Sequence, residues 1–195
     1  MTSGKIKTAL EKALERAAAM PKISDSQLKE MEYFPKGQAL AGKYLHEGVD
    51  MATALPTIKQ ENLSYVQQGI TDTLLKNFNL PTDEETLEIS KKALDGFYHI
   101  KTDHYGLGQV IGEVDQLFLY YRQIVDQAKA SVKAQMMQKF QAAQQQLSAQ
   151  YGGQINFDIE KQPEFQSELS KVLGQLNQRF EGAMQEVKEK LRNLQ

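Results

Sequence analysis

Cysteine is absent from this chain of 195 residues. That excludes disulfides, thiolate metal sites, iron–sulfur clusters and a cysteine nucleophile. A dominant charge is missing too, since the formal net charge is −2. Up to Gly106 there are 13 Lys and Arg against 15 Asp and Glu, and beyond it 10 against 10. Neither part has the basic surplus on which sequence-independent nucleic-acid binding rests. Long apolar runs are also lacking. The longest, Leu117 to Tyr121, falls far short of the roughly 20 residues a membrane-spanning helix needs. Met1 to Lys7 enter directly into a polar amphipathic pattern with no signal-peptide core, so a cytoplasmic protein is expected.

What the chain does contain is helical periodicity. Ile6, Leu10, Ala13, Leu14 and Ala17 recur at three- and four-residue steps, predicting a helix from about Ser3 to Met20 that Pro21 ends. Ser24 with Gln27 forms a capping box ahead of Leu28, Met31 and Phe34, and Pro35 is expected to break that helix. Ala39, Leu40, Tyr44 and Leu45 predict a further short helix ending near Gly48. Pro56 opens a longer one with Leu63, Val66, Ile70 and Leu74 on its buried face, weakened at Gly69. Thr82 and Glu85 read as a second capping box, starting a helix that carries Leu87, Leu94 and Phe97 to about Asp103.

At Tyr105 to Gly108 a bend is expected, and the character of the sequence changes there. Five glutamines lie at or before Gly106 and 18 after it. From Leu107 an apolar stripe continues through Ile111, Val114, Phe118, Tyr121, Val125, Ala128, Val132, Met136, Phe140, Ala143 and Leu147 to Tyr151. Its twelve steps average about 3.67 residues, the period of a nearly straight helix. Gly152 and Gly153 stop it. Gln154 to Ile159 alternates as a short strand or an extended loop would. Pro163 then opens a last helix with its stripe on Phe165, Leu169, Val172, Leu176, Phe180, Met184, Val187, Leu191 and Leu194. Two stripes of matching period on either side of a short connection predict an antiparallel, coiled-coil-like hairpin, because neither long helix can bury its face alone.

Few residue groupings suggest chemistry. Asp95, His99 and Asp103 stand four apart, a spacing that on one helix face could share a divalent cation. The competing reading is an exposed face of i,i+4 pairs. Gly106, Gly108 and Gly112 resemble a phosphate loop in spacing only; no buried strand precedes them, so they read as a bend and close helix packing. Glu113 and Asp115 point to different faces. Tyr120 and Arg122 could flank a contact surface. Lys129, Lys133 and Lys139 lie in a stretch without acids, Gln127 to Phe157, and read as a solvated face.

The expected fold is therefore all-α. A compact set of short helices occupies residues 1–104, and the long hairpin occupies 105–195, possible also as one continuous domain. The expected role is non-enzymatic: docking partner helices or self-association, with a protein partner or a homo-oligomer, no nucleic acid, no membrane insertion and no cofactor. Val114, Phe118, Val125, Val132, Phe140, Leu147, Leu169, Leu176, Phe180 and Val187 form the expected seam. The alternative is a metal-dependent or small-ligand helical enzyme centred on Asp95, His99 and Asp103.

Overall fold

A computed structural model describes residues 8–12, 24–151 and 158–195, with the side chains of Phe140 and of residues 142–151 outside the description. Within the described residues all regular structure is helical. Of the helix expected at Ser3 to Met20, residues 8–12 are covered: 9–12 are helical, but Thr8 is not, its hydroxyl instead accepting the Glu11 N–H at 3.2 Å as a cap does. The remainder of that helix lies outside the described residues, as do Gly152, Gly153 and most of the stretch Gln154 to Ile159. Ile159 itself begins a short 3-10 turn, Ile159–Lys161.

Helix α1 spans Asp25–Glu47. Its capping box is complete: the Ser24 hydroxyl accepts the Gln27 N–H, and the Gln27 side chain accepts the Ser24 N–H at 2.9 Å. Gly48 closes it in the left-handed region at φ 74°. Pro35 does not break this helix, contrary to the sequence expectation. A proline inside a helix leaves the carbonyl four residues earlier without its donor. Here both Pro35 and Met31 are exposed, so water can serve that carbonyl, while Gly37, Ala41 and Leu45 hold the helix through its buried face.

A short helix α2, Met51–Ala54, and a 3-10 turn, Leu55–Thr57, follow. Pro56 belongs to that turn, and helix α3 starts only at Gln60, running Gln60–Asn77. The pairing of α1 with α3 is parallel, because partners rise together in number. Lys29 reaches Glu61, Gly37 lies against Val66 and Ile70, Gly69 lies against Phe34, and the Gln38 amide donates to Asp72 at 2.9 Å. The connection through residues 48–59 must therefore return along the pair. Gly69, which by propensity weakens α3, is where the two backbones meet. A Cβ on Gly69 would stand 2.1 Å from the Phe34 carbonyl oxygen, and one on Gly37 would stand 2.1 Å from that of Val66.

Helix α4, Glu84–Phe97, is capped by Asp83 rather than by Thr82. The Asp83 carboxylate accepts the Thr86 N–H at 2.7 Å and holds its own pKa down through its hydrogen bonds to Thr86. Ser90 on this helix is fully buried and pins the preceding loop: its hydroxyl donates to the Asn79 carbonyl at 2.9 Å and accepts the Asn79 N–H at 3.1 Å. Ser90→Ala removes both hydrogen bonds, each worth about 0.5–1.5 kcal/mol, and is expected to lower the unfolding free energy in urea by about 1–3 kcal/mol.

The bend expected at Tyr105 to Gly108 falls earlier, at 98–103, and α4 ends at Phe97 instead of Asp103. Helix α5 then runs His104–Tyr151, 48 residues, and α6 runs Pro163–Asn193, 31 residues, opening on Pro163 as expected. At 1.5 Å per residue they extend roughly 70 and 45 Å. One buried cluster links α1 to α4 with Leu107–Val125 of α5 and Leu176–Leu191 of α6. A second, smaller cluster of Val132, Met136 and Phe165 continues beyond it. Among the described residues no helix is long and apolar enough to cross a membrane.

Candidate docking surface

The stripe read from sequence on α5 faces inward. Leu107, Val114, Phe118, Tyr121, Val125, Val132 and Met136 are all buried, as are Phe165, Leu176, Phe180, Met184, Val187 and Leu191 on α6. Contacts between the two helices step in opposite directions. Glu113 pairs with Lys190 at 2.6 Å, the Tyr121 hydroxyl donates to Asn177 Oδ1 at 2.7 Å, and Lys133 pairs with Glu160 in the 3-10 turn just ahead of α6. The Tyr121 ring meets Phe180 edge-on at 5.2 Å between centroids. The surface ion pairs contribute about 0–1 kcal/mol each, so apolar burial carries the association and the polar contacts set register. Burial raises the Tyr121 pKa, which keeps its hydroxyl a donor.

This placement changes the meaning of the expected seam. Val114, Phe118, Val125, Val132, Leu176, Phe180 and Val187 are between 0 and 8% exposed within the single chain, and Leu169 is half-buried against the smaller cluster. A side chain with so little accessible surface has almost none left to give another protein. The side chains of Phe140 and Leu147 lie outside the described residues. On α5 and α6 themselves, a docking surface among the described residues must lie on the outer faces.

Such a face exists on α5. Leu119, Gln123, Asp126, Ala130, Ala134 and Met137 are separated by steps of four, three, four, four and three, which place them on one line along the helix. All six are exposed, and the two large apolar members stand out at 61% for Leu119 and 47% for Met137. Tyr120 beside them is 58% exposed, with its ring 5.8 Å from Phe180. Arg122 is tied back to Glu84 of α4 at 2.7 Å. The core stripe concealed this second line from sequence reading, although the signal was present: Leu119, Ala130, Ala134 and Met137 are apolar and out of phase with it. Between Met136 and Lys139 of α5 and the first turns of α6 there is also a groove of about 460 Å³, walled by Glu164, Ser167, Glu168 and Lys171. Its charged walls suit solvent better than an apolar helix.

The Asp95, His99 and Asp103 grouping is dispersed by the turn at 98–103. Spacing of four keeps side chains on one face only while a helix continues, and α4 stops at Phe97. Asp95 stays on α4, and His99 lies edge-on to Tyr44 at 5.8 Å. Asp103 caps α5, its Oδ1 accepting the Gly106 N–H at 2.8 Å and its carbonyl accepting the Leu107 N–H at 3.0 Å. Among the described residues no three His, Asp or Glu side chains are grouped to hold a metal ion. Gly106 sits beneath the Asp103 carboxylate, whereas a Cβ on Gly108 would meet only the Tyr98 hydroxyl at 3.9 Å and Gly112 faces open space, so neither takes part in the close helix packing expected of them.

Residues 52–193 match the model of a family described as a family of unknown function, DUF6657. The match takes in well over half of the chain, so the chain belongs to that family. No curated protein and no solved structure matches it.

Proposed function

We propose that this member of DUF6657 is a non-enzymatic interaction protein. In this reading α5 and α6 act as an antiparallel, coiled-coil-like hairpin, set on the short helices that precede residue 104. The hairpin docks a further helix against its outer face, and the occupant is the same face of a second copy. The observation that carries the reading is the exposed line from Leu119 to Met137, on the side of α5 turned away from its own core.

The line is self-complementary. In an antiparallel two-fold pairing centred near Ala128, Leu119 of one copy falls opposite Met137 of the other. The small Ala130 and Ala134 between them allow the helices to approach. Asp126 then comes within reach of Lys129 of the other copy, twice by symmetry. Neither Asp126 nor Lys129 takes part in an ion pair among the described residues. Burial of the apolar members supplies the drive, at roughly 25 cal/mol per Å². The charges contribute orientation more than affinity.

Sedimentation equilibrium at micromolar concentration is expected to give twice the chain mass of 22.1 kDa. Leu119→Glu with Met137→Glu is expected to give the monomer mass with helicity unchanged, because both side chains are already in water in the single chain. Lys129→Asp should weaken the dimer, and adding Asp126→Lys should restore it. A wild-type chain that stays monomeric to hundreds of micromolar would sink the reading.

A further inference from the structure

Where the middle of α3, the 98–103 turn and the end of α6 meet, they enclose a cleft of about 460 Å³. Its α3 wall is polar at helical spacing: Ser64, Gln67, Gln68 and Thr71 stand at steps of three, one and three. Ser64 and Gln68 on this wall are exposed, and Gln67 and Thr71 are half-buried. Here two hydroxyls and two carboxamides share that wall, and none of the four side chains has a hydrogen-bond partner among the described residues. Ile100 adds an apolar patch to the lining.

Lys101 and Arg192 contribute cations to the cleft, Asp72 is the acidic side chain in the lining and lies within electrostatic reach of Arg192, and Gln195 completes the lining. Asp72 is already committed, accepting from Lys76 at 2.7 Å and from Gln38 at 2.9 Å. The Lys101 ammonium donates to the carbonyls of Arg192 at 3.0 Å and Leu194 at 2.6 Å, which fixes its position and leaves one of its three donors. Burial lowers the Lys101 pKa from its ordinary value, as desolvation of an incompletely compensated cation does. The Arg192 guanidinium has no hydrogen-bond partner among the described residues and presents a planar fork suited to an oxyanion.

We propose that this cleft binds a small phosphorylated polyol, with the phosphate on Arg192 and Lys101 and the hydroxyls on the α3 wall. The volume falls within the range of small-molecule sites. Neutral donors and acceptors lie on one side and the two cations on the other, of which Lys101 is held in place. A ligand carrying hydroxyls at one end and an anion at the other satisfies both. This site stands apart from the outer face of α5 and does not rest on the docking reading.

The test is a titration of the full-length chain, followed by amide NMR shifts, with glycerol 3-phosphate, inorganic phosphate and glycerol as separate probes. Glycerol 3-phosphate is expected to give saturable shifts centred on Thr71 and Lys101 and to bind more tightly than inorganic phosphate, with glycerol alone giving none. Arg192→Gln, a change at an exposed residue, should weaken both anions at least tenfold with the melting temperature preserved. Gln68→Leu should weaken glycerol 3-phosphate selectively. Shifts that are linear in concentration and scattered over surface lysines would overturn the proposal. So would equal affinity for glycerol 3-phosphate and inorganic phosphate, or indifference to Arg192→Gln.

Discussion

Gly37→Ala and Gly69→Ala are each expected to force α1 and α3 apart. The added methyl would meet a backbone carbonyl at 2.1 Å in either case, Val66 for the first and Phe34 for the second. Backbone oxygen cannot rotate away as a side chain can, so one whole helix must shift. Overpacking commonly costs about 1–3 kcal/mol and more where nothing yields, while alanine returns about 1 kcal/mol of helix propensity. A net loss of about 2–4 kcal/mol is expected, or about 5–15 °C in melting temperature for a chain of this size. Gly174→Ala and Gly182→Ala on α6 are the controls, since a Cβ there meets no atom within 4 Å. They should raise stability by about 0.5–1 kcal/mol, the ordinary gain in a helix interior. Calorimetry on the four variants decides it. Equal shifts at all four positions would mean that α1 and α3 do not approach as described.

Phe118→Ala is expected to be among the most destabilising single truncations on α5. The side chain is 3% exposed, and its ring lies 5.7 Å from Phe78, in the loop after α3. It therefore joins the long helix to the short ones. Removing a buried phenylalanine costs about 3–5 kcal/mol. A double-mutant cycle with Phe78→Ala should return a coupling of about 0.5–1.5 kcal/mol for the ring pair. Because the main cluster spans α1 to α6, unfolding should remain one transition, shifted as a whole. The variant also separates two roles that the sequence ran together. If Phe118 belongs to the internal core, the folded fraction should self-associate as the wild type does. A loss of association with full stability would return Phe118 to a docking seam.

The helices were largely readable from periodicity, because amphipathic spacing is a local property. The inward lines of α5 and α6 follow directly from residues three and four apart. So does the capping box at Ser24, and so does the start of α6 at Pro163. What misled was punctuation. Pro35 carries a breaking signal, yet it lies on the exposed side of the helix and the helix continues. Thr82 has the right partner three residues on, yet the neighbouring Asp83 takes the cap. The Asp95, His99 and Asp103 spacing is a face only if the helix persists, and α4 ends before it can.

The sequence by itself determined that the regular structure of the described residues is helical and which edge of each long helix turns inward. Both depend on side chains within a turn or two of one another. The tertiary structure alone decided that Gly37 and Gly69 are points of contact, that Phe118 is spent inside the molecule, and that Arg192 and Lys101 share a cleft with the polar side of α3. Each of these depends on groups brought together from distant parts of the chain. Local spacing carries no information about which backbone will arrive opposite a glycine, or how much of an apolar line remains uncovered once the helices have packed.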